Sequence, residues 1–346
     1  MRRRNRTGFE TVPNFVRRRG WIWGTGAILA SYLVLCWLLG VWVAEGTLHP
    51  GRRPLLPTDL EHAREIALAK GAELSEVTIS AADGATLRAW ILQSHNSNRQ
   101  AVIVLHGLGD NRMGMIGYAE MLLSHGFSVL MPDARAHGVS GGGLATFGLL
   151  ESADILAWVD WLYANTHGSC VFGVGESMGA AQLLQAAGST SHFCAVVAES
   201  PFSNFREIAY DRMGQFFHTG PWLGRTILRP VVEIAFWHVR YKYSMDVEQV
   251  SPDRAVALSR IPVLLVHGQV DGNIPIRHSR QIVADNPQVK LWEVAGADHC
   301  GAIAVARAQF EQRVVGWFAE HDRQVSGAAK VAEGESKKLL ARPVAN

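Results

Sequence analysis

The chain has 346 residues, 33 Lys plus Arg against 31 Asp plus Glu, 48% hydrophobic residues and 34 Gly. These values exclude a disordered polyelectrolyte and a small disulfide-stapled module. Seven Arg and one Glu fall in the first twenty residues, so the rest of the chain is net acidic. That argues against a nucleic-acid-binding domain. Cys36, Cys170, Cys194 and Cys300 form no C-x-x-C pair and no zinc spacing, and they read as small buried hydrophobes without a metal or a disulfide framework.

After the basic tail (residues 1–20) comes Trp21 to Ala44, without a charge. As a helix it spans about 36 Å, enough to cross a bilayer with some tilt. Trp21 and Trp23 at one end and Trp42 at the other suit an aromatic belt. Seven Arg on the N-terminal side outnumber Arg52 and Arg53, which predicts a cytoplasmic N-terminus and an extracytoplasmic domain. A cleaved signal peptide is the competing reading, but its apolar core runs about 7 to 15 residues and ends in a small-residue site. Val43-Ala44-Glu45 fits that site poorly.

Residues 45–57, with Pro, Gly and Arg, read as a linker, and residues 325–346 as a disordered tail. Between them, residues 58–324 are expected to form one globular domain. Glu76 to Ser80 and Thr86 to Leu92 flank Ala-Asp-Gly and predict an antiparallel hairpin at a sheet edge. Apolar runs at Ala101 to Leu105, Ser128 to Met131, Cys170 to Val174, Ala195 to Ala198, Val263 to Val266 and Lys290 to Val294 lack polar alternation. They predict strands covered on both faces, hence a mostly parallel sheet. Met113 to Ser124, Leu150 to Tyr163, Met178 to Ala187, Arg277 to Ala284 and Ile303 to Glu320 have helical length and period. The expected class is α/β, with helices on both faces of the sheet.

Chemistry-bearing residues gather at strand ends. Gly175-Glu176-Ser177-Met178-Gly179 follows a strand and opens a helix, a turn tight enough to need glycines around an exposed serine. A Ser N-cap is the bland alternative. A serine hydroxyl needs a base, and the base needs a carboxylate to hold its tautomer. Asp271 lies just past one strand and His299 just past the next. Asp298 is a rival acid, though its position beside His299 directs its side chain elsewhere. His106-Gly107-Leu108-Gly109-Asp110-Asn111 closes an inner strand, where the Leu108 N–H is expected to join that of Met178 against an oxyanion. His106 reads as structural, and Pro132 to Gly141 as a hydrogen-bonded loop shaping the site.

With these motifs in place, the chain resembles the α/β-hydrolase superfamily, especially its membrane-anchored serine hydrolases. The resemblance rests on the H-G-x-x-x-N loop at His106, a D-x-R-x-H-G-x-S-x-G loop at Asp133, the G-x-S-M-G elbow, and Asp271 and His299 in that order. It implies Ser177 as nucleophile, Asp271 and His299 as its partners, and Leu108 and Met178 as oxyanion donors. No cofactor or metal is implied. Ala136 departs from the usual Gly in the second loop.

The resemblance also implies a helical cap, about residues 202–259, leading from Glu199-Ser200-Pro201-Phe202. Its apolar residues Phe202, Phe205, Phe216, Phe217 and Trp222 are candidates to line a substrate pocket. The expected activity is cleavage of an ester or thioester with a hydrophobic acyl group, on a small-molecule or lipid-like substrate. Amidase, peptidase or acyltransferase chemistry would use the same triad. A catalytically silent, membrane-tethered binding protein is the reading from another class.

Overall fold

A computed structural model describes residues 14–322 apart from His167 and Pro287, with side chains from Trp21 onward except that of Asp285. The expected disordered tail and most of the basic N-terminal tail lie outside the described residues.

Among the described residues, eight strands form one sheet: β1 Ala72–Ser80, β2 Thr86–Ser94, β3 Gln100–Leu105, β4 Ser128–Pro132, β5 Cys170–Glu176, β6 Phe193–Glu199, β7 Val263–Gly268 and β8 Lys290–Val294. Their spatial order is β1-β2-β4-β3-β5-β6-β7-β8. β1 and β2 form the expected antiparallel hairpin, β2 runs antiparallel to β4, and every later pairing is parallel. The inner strands alternate between two cores, as a pleated strand must. Val102 and Val104 face one, and Ala101, Ile103 and Leu105 the other.

The first core is covered by α2 (Pro57–Ala69), α3 (Ile116–Leu123), α11 (Ala302–Val305) and α12 (Arg307–Glu320). The second is covered by α4 (Glu151–Thr166), α5 (Ser177–Gly188), α9 (Pro252–Leu258) and α10 (Arg277–Asp285). Between β6 and β7 the chain leaves the sheet for α6 (Phe205–Phe216), α7 (Trp222–Arg225) and α8 (Arg229–Tyr243) before α9. These helices pack a third apolar cluster over the edge that carries the polar residues.

Four expectations are corrected. The apolar helix α1 (Asn14–Leu48) does not stop at Ala44. It continues because Glu45 is held by α8, with its carboxylate accepting from His238 Nε2 at 2.6 Å, Lys242 Nζ at 2.8 Å and Tyr243 Oη at 2.8 Å. Residues 57–69, read from sequence without an element, form α2, whose buried Ala63 and Ala67 lie one turn apart. The helix expected over Ile303 to Glu320 breaks at Ala306, which adopts φ −135°, ψ 48°.

The fourth correction concerns cysteine. Cys170 and Cys194 are disulfide-bonded, their Cα atoms 5.7 Å apart. Neighbouring strands β5 and β6 bring them together, a juxtaposition their spacing does not announce. A bridge closing a loop of this length contributes on the order of 3 kcal/mol. Cys36 and Cys300 are free thiols.

Candidate active site

The parallel strands deliver their C-terminal ends to one edge, the edge where open α/β sheets bind ligands. Ser177 leaves β5 there with φ +50°, a left-handed conformation that costs energy for any residue with a Cβ. The turn closes because its neighbours lack side chains. A Cβ on Gly175 would meet the Gly179 carbonyl oxygen at 2.6 Å, and one on Gly179 would meet the Leu105 carbonyl oxygen at 2.4 Å.

Ser177 Oγ lies 2.9 Å from His299 Nε2, and His299 Nδ1 lies 2.9 Å from Asp271 Oδ2. The structure thus brings together three residues separated by up to 122 positions in sequence. Asp271 is nearly inaccessible, and its Oδ1 accepts from the backbone N–H groups of Asn273 at 2.9 Å and Ile274 at 2.8 Å. Burial works to raise its pKa, but the contacts with His267 and His299 outweigh it and hold the carboxyl far below the usual carboxylate range. Asp298 turns away: its Oδ1 accepts from the Gly272 and His299 N–H groups at 3.0 and 2.8 Å.

Leu108 and Met178 border the same cavity as Ser177. Met178 stands in the first turn of α5, where backbone N–H groups have no partner within the helix. The loop bearing Leu108 is riveted from below. His106 donates from Nδ1 to the Gly107 carbonyl at 2.8 Å and accepts the Ala134 N–H at Nε2 at 3.1 Å. Burial lowers its pKa to about 4, so the imidazole is neutral and able to accept.

The loop from Pro132 to Gly141 is a buried polar network. Arg112 pairs with Asp133 at 2.8 Å, and Arg135 with Asp154 at 2.7 Å. Ala136 takes φ +58°, the left-handed geometry for which glycine is the unstrained residue.

Behind Ser177 lies a cluster that sequence reasoning missed. Tyr118 Oη donates to Glu199 Oε2 at 2.8 Å and approaches Glu176 Oε2 at 3.3 Å, while Glu199 Oε1 accepts the Ala302 N–H at 2.9 Å. Burial, the charge of Glu199 and that of Asp110 push Glu176 up to about 7. Burial also raises Glu199. Cys300, beside His299, is pushed up by burial and by both carboxylates, so it remains a thiol. The available signal was Glu199 closing β6 at the edge where Glu176 closes β5.

This cluster sets a pH dependence of stability. Glu176 titrates at about 4.3 in an unfolded chain and at about 7 when folded. Its favourable contribution is therefore full in acid and lost as pH rises through about 7. Glu176→Gln should melt higher than wild type at pH 8, by on the order of 2 kcal/mol for this half-buried group, with the gap closing towards pH 5. Thermal unfolding at the two pH values measures it, and a gap that does not shrink in acid counts against the assignment.

A second Ser-His-Asp chain was also missed. Ser203 Oγ lies 2.9 Å from His278 Nδ1, and His278 Nε2 lies 2.8 Å from Asp211 Oδ2. All three side chains are closed to solvent, and they join α6 to α10. No substrate reaches this serine.

A cavity of about 360 Å³ opens at Ser177, within the range of small-molecule sites. Phe202 and Phe205 line it, together with Phe147, Ile208, Met213 and Phe236. Phe216, Phe217 and Trp222, expected beside them, are instead exposed by 63%, 43% and 56% and lie outside the lining. They occupy the far end of α6, the turn after it and the start of α7. Arg212 is the one charged residue among the described lining side chains.

A doubly covered, mostly parallel sheet with a serine, a histidine and an aspartate joined across its strand ends defines a hydrolase of the α/β class. The chain belongs to the alpha/beta hydrolase family, whose sequence profile matches residues 102–312. It is 27% identical over 213 residues to the uncharacterized protein YqkD of Bacillus subtilis, covering 61% of this chain and 67% of that one. It is 25% identical over 236 residues to the uncharacterized protein YfhR of Escherichia coli, covering 66% and 74%. Among solved structures, the Pyrococcus furiosus esterase Pf2001 matches with a TM-score of 0.61 and 25% identity, over 80% of this chain and 98% of that one. The Pyrococcus horikoshii acylaminoacyl peptidase shares the fold, with a TM-score of 0.55 and 15% identity over 73% of this chain and 42% of that one.

Proposed function

We propose that this hydrolase is a membrane-anchored serine esterase acting on carboxylic esters or thioesters with an apolar acyl group. The observation that carries the reading is the Ser177–His299–Asp271 chain, with both contacts at 2.9 Å, opening on an almost wholly apolar cavity. In this mechanism His299 Nε2 removes the Ser177 proton as Oγ attacks the carbonyl carbon. Asp271 keeps the Nδ1–H in place and balances the imidazolium. The Met178 and Leu108 N–H groups take the oxyanion, the alcohol or thiol leaves with the proton from His299, and water repeats the sequence to release the acid. The likeness to an esterase along nearly its whole length favours ester chemistry over amide chemistry.

The anchor reading rests on α1, apolar over Trp21–Leu48. The Arg excess on its N-terminal side argues for an extracytoplasmic domain. The Cys170–Cys194 bond supports the same side, since such bonds persist in oxidising compartments.

The test uses the full chain in detergent micelles. A fluorophosphonate should label Ser177, and kcat/KM should rise from p-nitrophenyl acetate to octanoate while peptide amides turn over more slowly. A flat or falling series with faster amides means a peptidase. No label at all means a silent binding protein.

A further inference from the structure

Helix α1 does more in this fold than precede the domain. Val43, Ala44, Gly46, Thr47 and Leu48 border the cavity that holds Ser177. Ala44 and Leu48 are buried, and the Leu48 carbonyl accepts the Ala145 N–H at 2.9 Å, fastening the end of α1 to the loop after β4.

Beside α1, helix α8 contributes Val231, Val232, Ala235, Phe236 and Val239 to the lining. These recur at helical spacing along one face, over about 12 Å. The two helices run in the same direction and are closely docked. Near one end, Tyr32 Oη donates to the Ile227 carbonyl. At the other, Glu45 is held by His238, Lys242 and Tyr243. Between these points Gly40 lets the backbones meet, since a Cβ there would stand 2.8 Å from the Val231 carbonyl oxygen and Ile234 Cγ2. Small residues serve this purpose where membrane helices pack closely.

The outer face of α1 is exposed and apolar at Leu35, Trp37, Leu38 and Trp42. On α8, Trp237 and Tyr241 stack with ring centroids 5.2 Å apart and are likewise exposed, as interfacial aromatics are. One side of the α1–α8 pair therefore suits lipid, and its other side bounds the reacting serine.

We infer that the membrane helix is itself half of the acyl-chain site, and that the substrate is a lipid ester whose chain lies along the α1–α8 seam between the bilayer and Ser177. The inference rests on the reading of Ser177 as nucleophile and of α1 as anchor. An acyl chain taken up along this seam stays among apolar side chains and avoids the cost of crossing water, up to about fourfold in equilibrium for each methylene.

The experiment compares p-nitrophenyl laurate with p-nitrophenyl butyrate on the full-length protein in lipid nanodiscs, with active sites counted by fluorophosphonate labelling. Ala44→Phe places a ring in the chain's path, Ala44→Leu obstructs it with less risk to folding, and Leu35→Phe adds the same bulk on the lipid-facing side. The laurate-to-butyrate ratio of kcat/KM should fall at least about tenfold in Ala44→Phe, less in Ala44→Leu, and stay at the wild-type value in Leu35→Phe. Labelled Ala44 variants with an unaltered ratio overturn the inference and leave the esterase reading standing. A wild-type chain that takes no label overturns the nucleophile reading, and this inference with it.

Discussion

Ser177→Ala should lower kcat by on the order of 10⁴ to 10⁶-fold and abolish fluorophosphonate labelling, with the fold intact. The reasoning is geometric. Oγ lies 2.9 Å from His299 Nε2, so its removal takes away the hydroxyl the base would activate. The Leu108 and Met178 N–H groups are backbone and survive the change, so a small acceleration over solution should persist. Stability should change little, because alanine and serine pay similarly for φ +50° at this turn. Ser177→Gly, free of that cost, should be equally inactive and more stable by about 1 kcal/mol. Labelling of a folded Ser177→Ala protein at the wild-type rate would show that another residue is the nucleophile.

Asp271→Asn should cost on the order of 10⁴-fold in kcat while Asp298→Asn stays near wild type. In the native site, Asp271 Oδ2 accepts from His299 Nδ1, which forces the proton to that nitrogen and leaves Nε2 free to act as base. An amide fills the same space and can keep the bonds from Asn273 and Ile274, but it presents N–H to Nδ1 and favours the opposite tautomer. The carboxyl of Asp271 is held so far down by its histidine partners that it stays charged throughout the working pH range. Protonation of Asp271 is therefore not what limits activity in acid. Steady-state kinetics of both variants decides between the two acids. An active Asp271→Asn with a dead Asp298→Asn would transfer the role to Asp298.

Much of the scaffold was legible because its causes are local. A strand covered on both faces must be largely apolar, and each of the six runs read that way became a strand within two residues of its expected ends, as in Ser128–Pro132. The elbow was legible for the same kind of reason. A Cβ on Gly175 would strike the Gly179 carbonyl, so that part of the requirement is written within five residues.

Other features depend on which distant surfaces meet. The Cys170–Cys194 bond exists because β5 and β6 are neighbours, and the buried Ser203–His278–Asp211 chain because α6 lies over α10. Neither carries a local pattern. The aromatic residues after β6 looked alike in sequence, yet Phe202 and Phe205 turned towards the cavity and Phe216, Phe217 and Trp222 towards the outside. A helix's own period describes an apolar face without saying what that face will meet.

The sequence by itself determined the strand and helix alternation, the tight turn at Ser177, and the succession of serine, aspartate and histidine at strand ends, because periodicity and steric exclusion act over a few residues. Only the tertiary structure decided that Val43 to Leu48 wall the cavity. From sequence, Glu45 ends an apolar helix and opens a linker. In the fold its carboxylate meets an imidazole, an ammonium and a phenol from α8, nearly two hundred residues away, and their combined hydrogen bonds hold α1 in place through Leu48. Long-range pairing of that kind outweighs the local preference to end a helix, and it leaves no trace in the residues on either side of Glu45.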